Sequence, residues 1–349
     1  MRSTSCALLL LTTAVAAAQP PVKGDPARLA RIKAAKMPAV TKPVPFDTPE
    51  ADAILAALEV FPPNNPWNLL VEDWPLHPNS KALVASVGPD KVFRYNPDMS
   101  FILVPPNQPK VPVELKEYKE ESDQGPFPVP ANVPVEGWPA WFQRDPALKD
   151  LTLDDVQRGK PSPDADRHGI VVDPVGRKLY EFYRLTRTDR GWQAEQASVF
   201  DLASNALRPD GWTSSDAAGL PVFPAVVRYD ELKRGVVDHA LRMTVRKTRR
   251  AYVYPATHYA SQSKDENLPR MGERFRLRKD FDVSKFSPEA KAILTALKRY
   301  GAFVADNGIE WAVSVAPDPR IPDLHDELRK VKGSDFEVVE PPAGYRPPK

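Results

Sequence analysis

The sequence predicts a β-rich α+β protein, with a β-sandwich or jelly-roll-like core, proline-rich loops and a few peripheral helices. Proline makes up 40 of the 349 residues, which favours short elements because proline interrupts helices and central strands. Alternating apolar and polar residues between 163 and 283 indicate strands. Helical apolar stripes with an N-terminal cap are confined to three segments.

The N-terminus has the features of an export signal. Arg2 supplies a positive charge, residues 6–15 are apolar but too few to span a bilayer, and Ala16-Ala17-Ala18 offers a cleavage site before Gln19. Cys6 is the only cysteine, so we expect a mature chain without disulfides or a cysteine nucleophile. These features predict a secreted or periplasmic protein without a transmembrane segment.

The chain divides into four predicted parts. They are a signal peptide at 1–18, a linker or basic arm at 19–45, a single β-rich globular domain at 46–340 and a loose tail at 341–349. The predicted helices are capped by Asp25, Thr48 and Ser287. A proline follows each cap directly, which suits the first helical turn.

One predicted hairpin brings His168 near Glu181. Asp173-Pro174-Val175-Gly176 matches a type I turn. If these four residues form the loop, His168 faces Glu181 and Asp166 faces Tyr183. A carboxylate beside a histidine suits general acid–base catalysis, and the alternative is a polar pair on the rim of a sheet.

A second predicted hairpin pairs the segment beginning at His239 with the segment ending at His258. A loop at 247–250 places these two histidines opposite each other, and Met243 opposite Tyr254. Histidines close to tyrosines fit a metal pair or a base–acid couple. The alternative is that both are ordinary core residues.

Two further patterns indicate strands. Residues 273–278 alternate, which predicts Phe275 and Leu277 inward and three arginines outward. Residues 302–316 are expected to form two short strands around the turn signal Asp306-Asn307-Gly308. The outward arginines, together with Arg242 on the earlier strand, could bind an acidic polysaccharide or form a solvated face.

Several common classes lack their motifs. The chain has no G-x-G-x-x-G, Walker A, H-E-x-x-H or G-x-S-x-G motif, and no EF-hand loop. The formal net charge of +2 does not imply nucleic-acid binding. No cofactor is predicted, although a structural or catalytic divalent metal stays open.

Residues 200–221 are predicted to form a long structured loop. Trp212 is a candidate platform for sugar stacking, and Asp201 and Asp216 are candidate site carboxylates. Tyr252 belongs to the same set of substrate-binding candidates. The alternative is that Ser214, Ser215 and Asp216 only cap a short turn.

Long stretches of the chain resemble a group of secreted bacterial proteins of unassigned function. The resemblance lies in FDLASNALRPDGWTSSDAAGLP, DHALRMTV and LKRYGAFVADNG, and it extends over roughly residues 60–335. It implies one exported unit and no particular activity.

The function expected from the sequence is that of an exported carbohydrate-active enzyme acting on a polysaccharide. In a lyase, His239 or His258 would abstract a proton, Tyr254 would donate one and Arg242 would neutralise a carboxylate. In a hydrolase, Glu181 would act with Asp166 or Asp216. The alternative is a non-catalytic protein that binds glycans or has a structural role in the cell envelope.

Overall fold

The computed structural model describes residues 24–348, and the predicted signal peptide lies outside this range. Eight α-helices and fourteen strands in these residues have similar total lengths, so the protein is mixed α/β rather than predominantly β. The strands of this part of the chain form three open sheets and no barrel. The predicted β-sandwich or jelly roll is not confirmed.

The elements are short and alternate along the chain. Helices α1 to α8 span Pro26–Ala34, Pro49–Ala57, Ser80–Val87, Ala140–Arg144, Leu153–Gln157, Tyr229–Lys233, Pro288–Arg299 and His325–Leu328. Strands β1 to β14 span Val44–Pro45, Arg94–Pro97, Ile102–Leu103, Val113–Leu115, Gly169–Asp173, Lys178–Tyr183, Thr186–Thr188, Gly191–Ala194, Gln196–Asp201, Leu241–Val245, Arg274–Leu277, Ala302–Asn307, Ala312–Val315 and Phe336–Val339. No helix in residues 24–348 is long and apolar enough to cross a membrane.

The three sheets are stacked through two apolar cores. Their strand orders are β1-β3-β5-β6-β9, β14-β11-β12-β10-β13-β2 and β4-β8-β7. Alternate residues of β5 enter different cores, as expected for a strand buried on both faces. Ile170 and Val172 join the main core with β10 and α7, whereas Val171 joins the core beside the three-stranded sheet.

The three predicted helices are confirmed together with their caps. The Asp25 side chain accepts a hydrogen bond from Ala27 N, Thr48 from Ala51 N and Ser287 from Ala290 N. Each cap satisfies a backbone N–H that lacks a partner within the helix.

Helix α1, which lies in the segment predicted as a linker or arm, is docked on the main body. Arg31 Nη2 is 2.7 Å from Asp238 Oδ2, and the Tyr300 hydroxyl donates to Asp25 Oδ2 at 2.6 Å. Arg28 is buried and donates to the carbonyl oxygen of Val60.

The first predicted hairpin forms, but its register is wrong. Strands β5 and β6 pair Asp173 with Lys178 and Ile170 with Glu181, so the loop is residues 174–177. Asp173 Oδ1 accepts hydrogen bonds from Val175 N and Gly176 N, which close the turn. Each residue of β5 therefore lies opposite a residue of β6 that is two positions later in the chain than predicted. A shift of two residues keeps each side chain on its predicted face, so His168 and Glu181 still share a face but are not opposite.

The second predicted hairpin does not form, so this prediction is wrong. Strand β10 pairs in parallel with β12 and antiparallel with β13, and not with residues 251–258. The histidines at 239 and 258 are therefore not cross-strand neighbours. The strands predicted around Asp306-Asn307-Gly308 both exist, but β10 lies between them, so they do not form a hairpin.

The predicted outward row of three arginines is wrong for Arg274 and Arg276, whereas Arg278 is exposed as predicted. Arg274 and Arg276 are buried, and their guanidinium groups donate to backbone carbonyls of Pro66, Tyr300 and Val71. Each guanidinium carries five donors, so it can satisfy several carbonyl groups of irregular chain. These arginines stabilise the proline-rich segment on the sheet.

Candidate functional site

A cluster of ionisable side chains lies where the six-stranded sheet meets the start of β5. We call it the polar cluster, and its members are Asp98, Glu136, His168, Glu181, Asp216, Arg242 and Asp306. Four of these residues were predicted as candidates from the sequence, namely His168, Glu181, Asp216 and Arg242.

Arg242 is the central cation of the polar cluster. On β10 it alternates with Leu241 and Met243, which enter the main core, so its side chain points to the opposite face. It forms a bidentate pair with Asp216, with distances of 2.8 Å from Nε and 2.7 Å from Nη2. Its Nη1 donates to Ser314 Oγ, which in turn donates to Asp98 Oδ2 at 3.2 Å.

A tight turn places Asp216 opposite Arg242. Ser214 Oγ lies 2.8 Å from the carbonyl oxygen of Asp216 and 2.6 Å from that of Leu220, and its single O–H group can donate to either, which holds the turn closed. Gly219 has φ of 72°, and a Cβ there would clash with Thr257 Oγ1 and the carbonyl oxygen of Trp212. The turn is not the short helix that capping by Ser214 would produce.

His168 is a buried cation. Its Nδ1 lies 2.7 Å from Glu136 Oε2, and its Nε2 lies 2.8 Å from the carbonyl oxygen of Ser215. Both oxygens only accept hydrogen bonds, so both ring nitrogens must carry a proton. Burial lowers the pKa of His168, but the Glu136 carboxylate outweighs it and raises the pKa to about 10. His168 therefore holds Glu136 ionised rather than acting as a base.

Asp98 is a buried acid with a free oxygen. Its Oδ2 accepts from Ser314, whereas Oδ1 is buried and has no hydrogen-bond partner in residues 24–348. Burial and the neighbouring charge of Glu136 raise the pKa of Asp98 to about 8. Asp98 is therefore largely protonated at neutral pH.

Glu181 shapes the loop that carries Asp216. Its carboxylate accepts hydrogen bonds from Val222 N, Phe223 N and Ser215 Oγ at 2.8 to 3.1 Å. Burial raises its pKa to about 7, although these donors favour the ionised form. Glu181 does not contact His168, but Ser215 connects them because its carbonyl accepts from His168 and its hydroxyl donates to Glu181.

Glu136 and Asp306 are the members of the polar cluster that reach the surface. The Glu136 side chain is 11 % exposed and Asp306 is half-buried. Although burial raises the pKa of Glu136, the charge of His168 and its hydrogen bond lower it more. Burial and the charge of Asp216 raise the pKa of Asp306 to about 7. At neutral pH Glu136 is therefore ionised, whereas Asp306 is partly protonated.

Three aromatic rings lie next to the polar cluster. We call Tyr252, His258 and Tyr259 the aromatic face: Tyr259 stacks with His258 at 5.7 Å between ring centroids and with Tyr252 at 6.3 Å. His258 Nδ1 is 2.7 Å from the carbonyl oxygen of Ala217, the residue after Asp216. The rings are partly exposed, so they offer an aromatic surface near the turn that carries Asp216, although Arg250 lies over the Tyr259 ring.

The remaining predicted site residues lie elsewhere or have other contacts. His239 is buried and pairs with Glu231, so it is a core residue. Tyr254 lines a separate small cavity with Tyr345. Asp166 accepts a hydrogen bond from Tyr183, although the cross-strand register that predicted this pair is wrong. Two contacts are near the surface: Asp201 pairs with Lys178, and Trp212 stacks under Arg208.

Asp98, Glu136 and Asp306 were not predicted as site residues from the sequence. Asp98 and Glu136 lie in the proline-dense region, where no periodic pattern singles out one polar residue. Asp306 was noted only as part of a turn signal. All three positions depend on contacts between distant segments. Across residues 24–348, no group of three or more His, Cys, Asp and Glu side chains is arranged to hold a metal ion.

Searches of protein families, curated proteins and solved structures found no match to the chain.

The pKa values of the polar cluster predict a protein that loses stability as the pH rises. Asp98 keeps a proton in the folded state up to about pH 8, whereas its ordinary pKa is 3.8. Its contribution to the free energy of unfolding is therefore lost as the pH rises through 8. His168 contributes fully below its ordinary pKa of 6.5, and the contribution is lost as the pH rises through about 10. We expect the melting temperature to fall between about pH 5 and pH 9.

Asp98→Asn tests this pH dependence. Asparagine keeps the shape of the protonated carboxyl group but cannot ionise, so the melting temperature should fall less steeply with pH than in the wild type. Asp90→Asn is the matched control because Asp90 is exposed. A wild-type slope in Asp98→Asn would contradict a raised pKa at this site.

Proposed function

We propose that this protein is an exported glycoside hydrolase that cleaves a polysaccharide with Asp306 as general acid and Glu136 as base or nucleophile. The observation that carries the proposal is the pair of surface-reaching carboxyl groups whose pKa values are displaced in opposite directions. Such displacement is how a protein obtains a proton donor and an ionised carboxylate at one pH.

Glycoside hydrolysis needs these two states. A protonated carboxyl group donates to the oxygen of the leaving sugar, while a carboxylate attacks the anomeric carbon or activates a water molecule. Glu136 is kept anionic by His168, and burial and the charge of Asp216 raise the pKa of Asp306 to about 7, so that part of it carries a proton at neutral pH. The Arg242–Asp216 pair and Asp98 lie behind them and fix this electrostatic environment.

The aromatic face supports a sugar substrate. Sugar rings present C–H groups that pack on aromatic rings, and Tyr252, His258 and Tyr259 lie beside the turn that holds Asp216. Tyr252 also donates to Asp210 at 2.7 Å, which fixes the orientation of its ring.

The lyase scheme finds less support. It needed His239 or His258 close to Tyr254 and Arg242. His239 pairs with Glu231, and Tyr254 lines a different cavity. Arg242 forms a bidentate pair with Asp216. No base and acid from that scheme share a contact among the described residues.

A substrate screen tests the proposal. Residues 19–349 are incubated with neutral and acidic polysaccharides, and new reducing ends and unsaturated-product absorbance are followed. We expect reducing ends without absorbance for one substrate. Absorbance would establish a lyase and overturn the proposal.

The second candidate is a non-catalytic glycan-binding protein, which the aromatic face favours. It predicts retained binding to one polysaccharide in affinity electrophoresis with no product over a long incubation. Tyr259→Ala should then weaken binding, while Tyr118→Ala, which removes an exposed tyrosine elsewhere, is the matched control.

A further inference from the structure

A second polar site lies away from the polar cluster, between the three-stranded sheet and the end of α5. It is a cavity of about 320 Å³. Its charged lining residues are Lys116, Arg158, Arg167, Arg184, Arg187 and Glu195. Five cations therefore face one carboxylate in a volume typical of small-molecule sites.

Arg167 is the buried part of this lining. It is 6 % exposed, and its Nη1 and Nη2 donate to the carbonyl oxygens of Ser162 and Ala165 and to Thr186 Oγ1. Its Nε has no hydrogen-bond partner within residues 24–348, and no carboxylate there pairs with this guanidinium. An unpaired buried cation is costly unless an opposite charge completes its surroundings.

The other arginines are held by carboxylates that are exposed. Arg184 pairs with Asp164 and Arg158 with Asp189, and these two aspartate side chains are 94 % and 95 % exposed. Exposed ion pairs are weak because water screens them. These pairs orient the guanidinium groups along the cavity without neutralising its interior.

Glu195 is the only carboxylate among the charged lining residues. Its Oε1 lies 3.6 Å from Arg184 Nη1, and Lys116 pairs with Glu114 outside the lining. Among the charged lining residues alone, five cations and one carboxylate leave an excess of four positive charges, and the carboxylates that pair with these cations, Glu114, Asp154, Asp164 and Asp189, lie outside the lining.

We propose that this cavity binds a sugar-sized ligand through an oxyanion group, a phosphate, sulfate or carboxylate. Guanidinium groups match the geometry of such oxyanions and bind them with paired hydrogen bonds. Arg184 and Arg187, whose side chains are partly exposed, can supply these bonds, and Arg167 adds a buried positive charge behind them. The proposal does not rest on hydrolysis at the polar cluster.

The test is calorimetric titration of residues 19–349 with inorganic phosphate, sulfate and glucuronate at constant ionic strength, with chloride as the blank. We expect saturable binding of at least one probe, and the arm that binds identifies the source of the oxyanion. Arg184→Gln with Arg187→Gln should weaken that binding about tenfold or more. Arg190→Gln is the matched control, since Arg190 lies in the β7–β8 turn, is exposed and does not line the cavity.

Two results would overturn the proposal. One is the absence of saturable binding for all three probes, and the other is unchanged affinity in the double variant. If the double variant does not give a wild-type thermal transition, Arg187→Gln alone replaces it, because Arg187 is half-exposed and pairs only with Asp154.

Discussion

Glu136→Gln should reduce turnover of the polysaccharide identified in the screen by about 10²- to 10⁴-fold, the range for losing a positioned acid–base group. Glutamine keeps the size of the side chain and can still accept a hydrogen bond from His168. It cannot act as nucleophile or base. Asp306→Asn should give a loss of the same order, because asparagine has no proton to donate to the leaving group.

Leaving-group chemistry separates the two roles. An activated aryl leaving group departs from a glycoside without being protonated. Asp306→Asn should therefore lose much less activity on such an aryl glycoside than on the polysaccharide. Glu136→Gln should be equally impaired on both. The pH profile of kcat should also lose its alkaline limb in Asp306→Asn, since that limb reports ionisation of the general acid.

Exposed carboxylates provide the controls. Glu114→Gln and Asp282→Asn change the same residue types on the surface and should leave turnover unchanged. If Glu136→Gln and Asp306→Asn both retain wild-type turnover, the assignment of the two roles is wrong even if the protein is a hydrolase.

Arg242→Met should destabilise the folded protein by about 3–5 kcal/mol, the cost of leaving one member of a buried ion pair without its partner. Asp216 would lose two hydrogen bonds of 2.7 and 2.8 Å while staying buried, so its charge would have no partner. The free energy of unfolding, measured by urea denaturation, checks this value.

Arg246→Met is the matched control because Arg246 follows β10 directly and its side chain is 66 % exposed. We expect a change within about 0.5 kcal/mol for this surface substitution. Combining Arg242→Met with Asp216→Leu removes both charges, so the double variant should be less destabilised than Arg242→Met alone. Strictly additive effects would show that the two side chains do not act as a buried pair.

The first hairpin illustrates how far a local pattern reaches. Alternation placed His168 and Glu181 on one face, because side chains on a strand alternate with a period of two. The loop was predicted one residue too early in the chain, because Asp173 closes a turn around residues 174–177, with Arg177 at a φ of 51°. The face of the sheet on which each side chain lies was predictable from the alternation along the strand. The residue opposite it on the neighbouring strand depended on where the turn closes.

The polar cluster illustrates what a local pattern does not contain. Arg242 was predicted on an exposed basic face, yet it is buried because the turn that carries Asp216 covers this face of the sheet and binds its guanidinium. Asp98 and Asp306 belong to segments about two hundred residues apart in the chain, and the charge of Arg242 acts on both. Their raised pKa values come from burial, which the residue types do not reveal.

The sequence by itself determined the three capped helices, because a cap and its helix interact within three or four residues. It also determined which residues of β5 and β6 share a face. The tertiary structure alone decided which strands lie beside β10, which arginines are buried, and which carboxyl groups meet around Arg242 and His168. The physical reason is that strand pairing and desolvation are set by residues far away in the chain, whereas caps and alternation are set by neighbours.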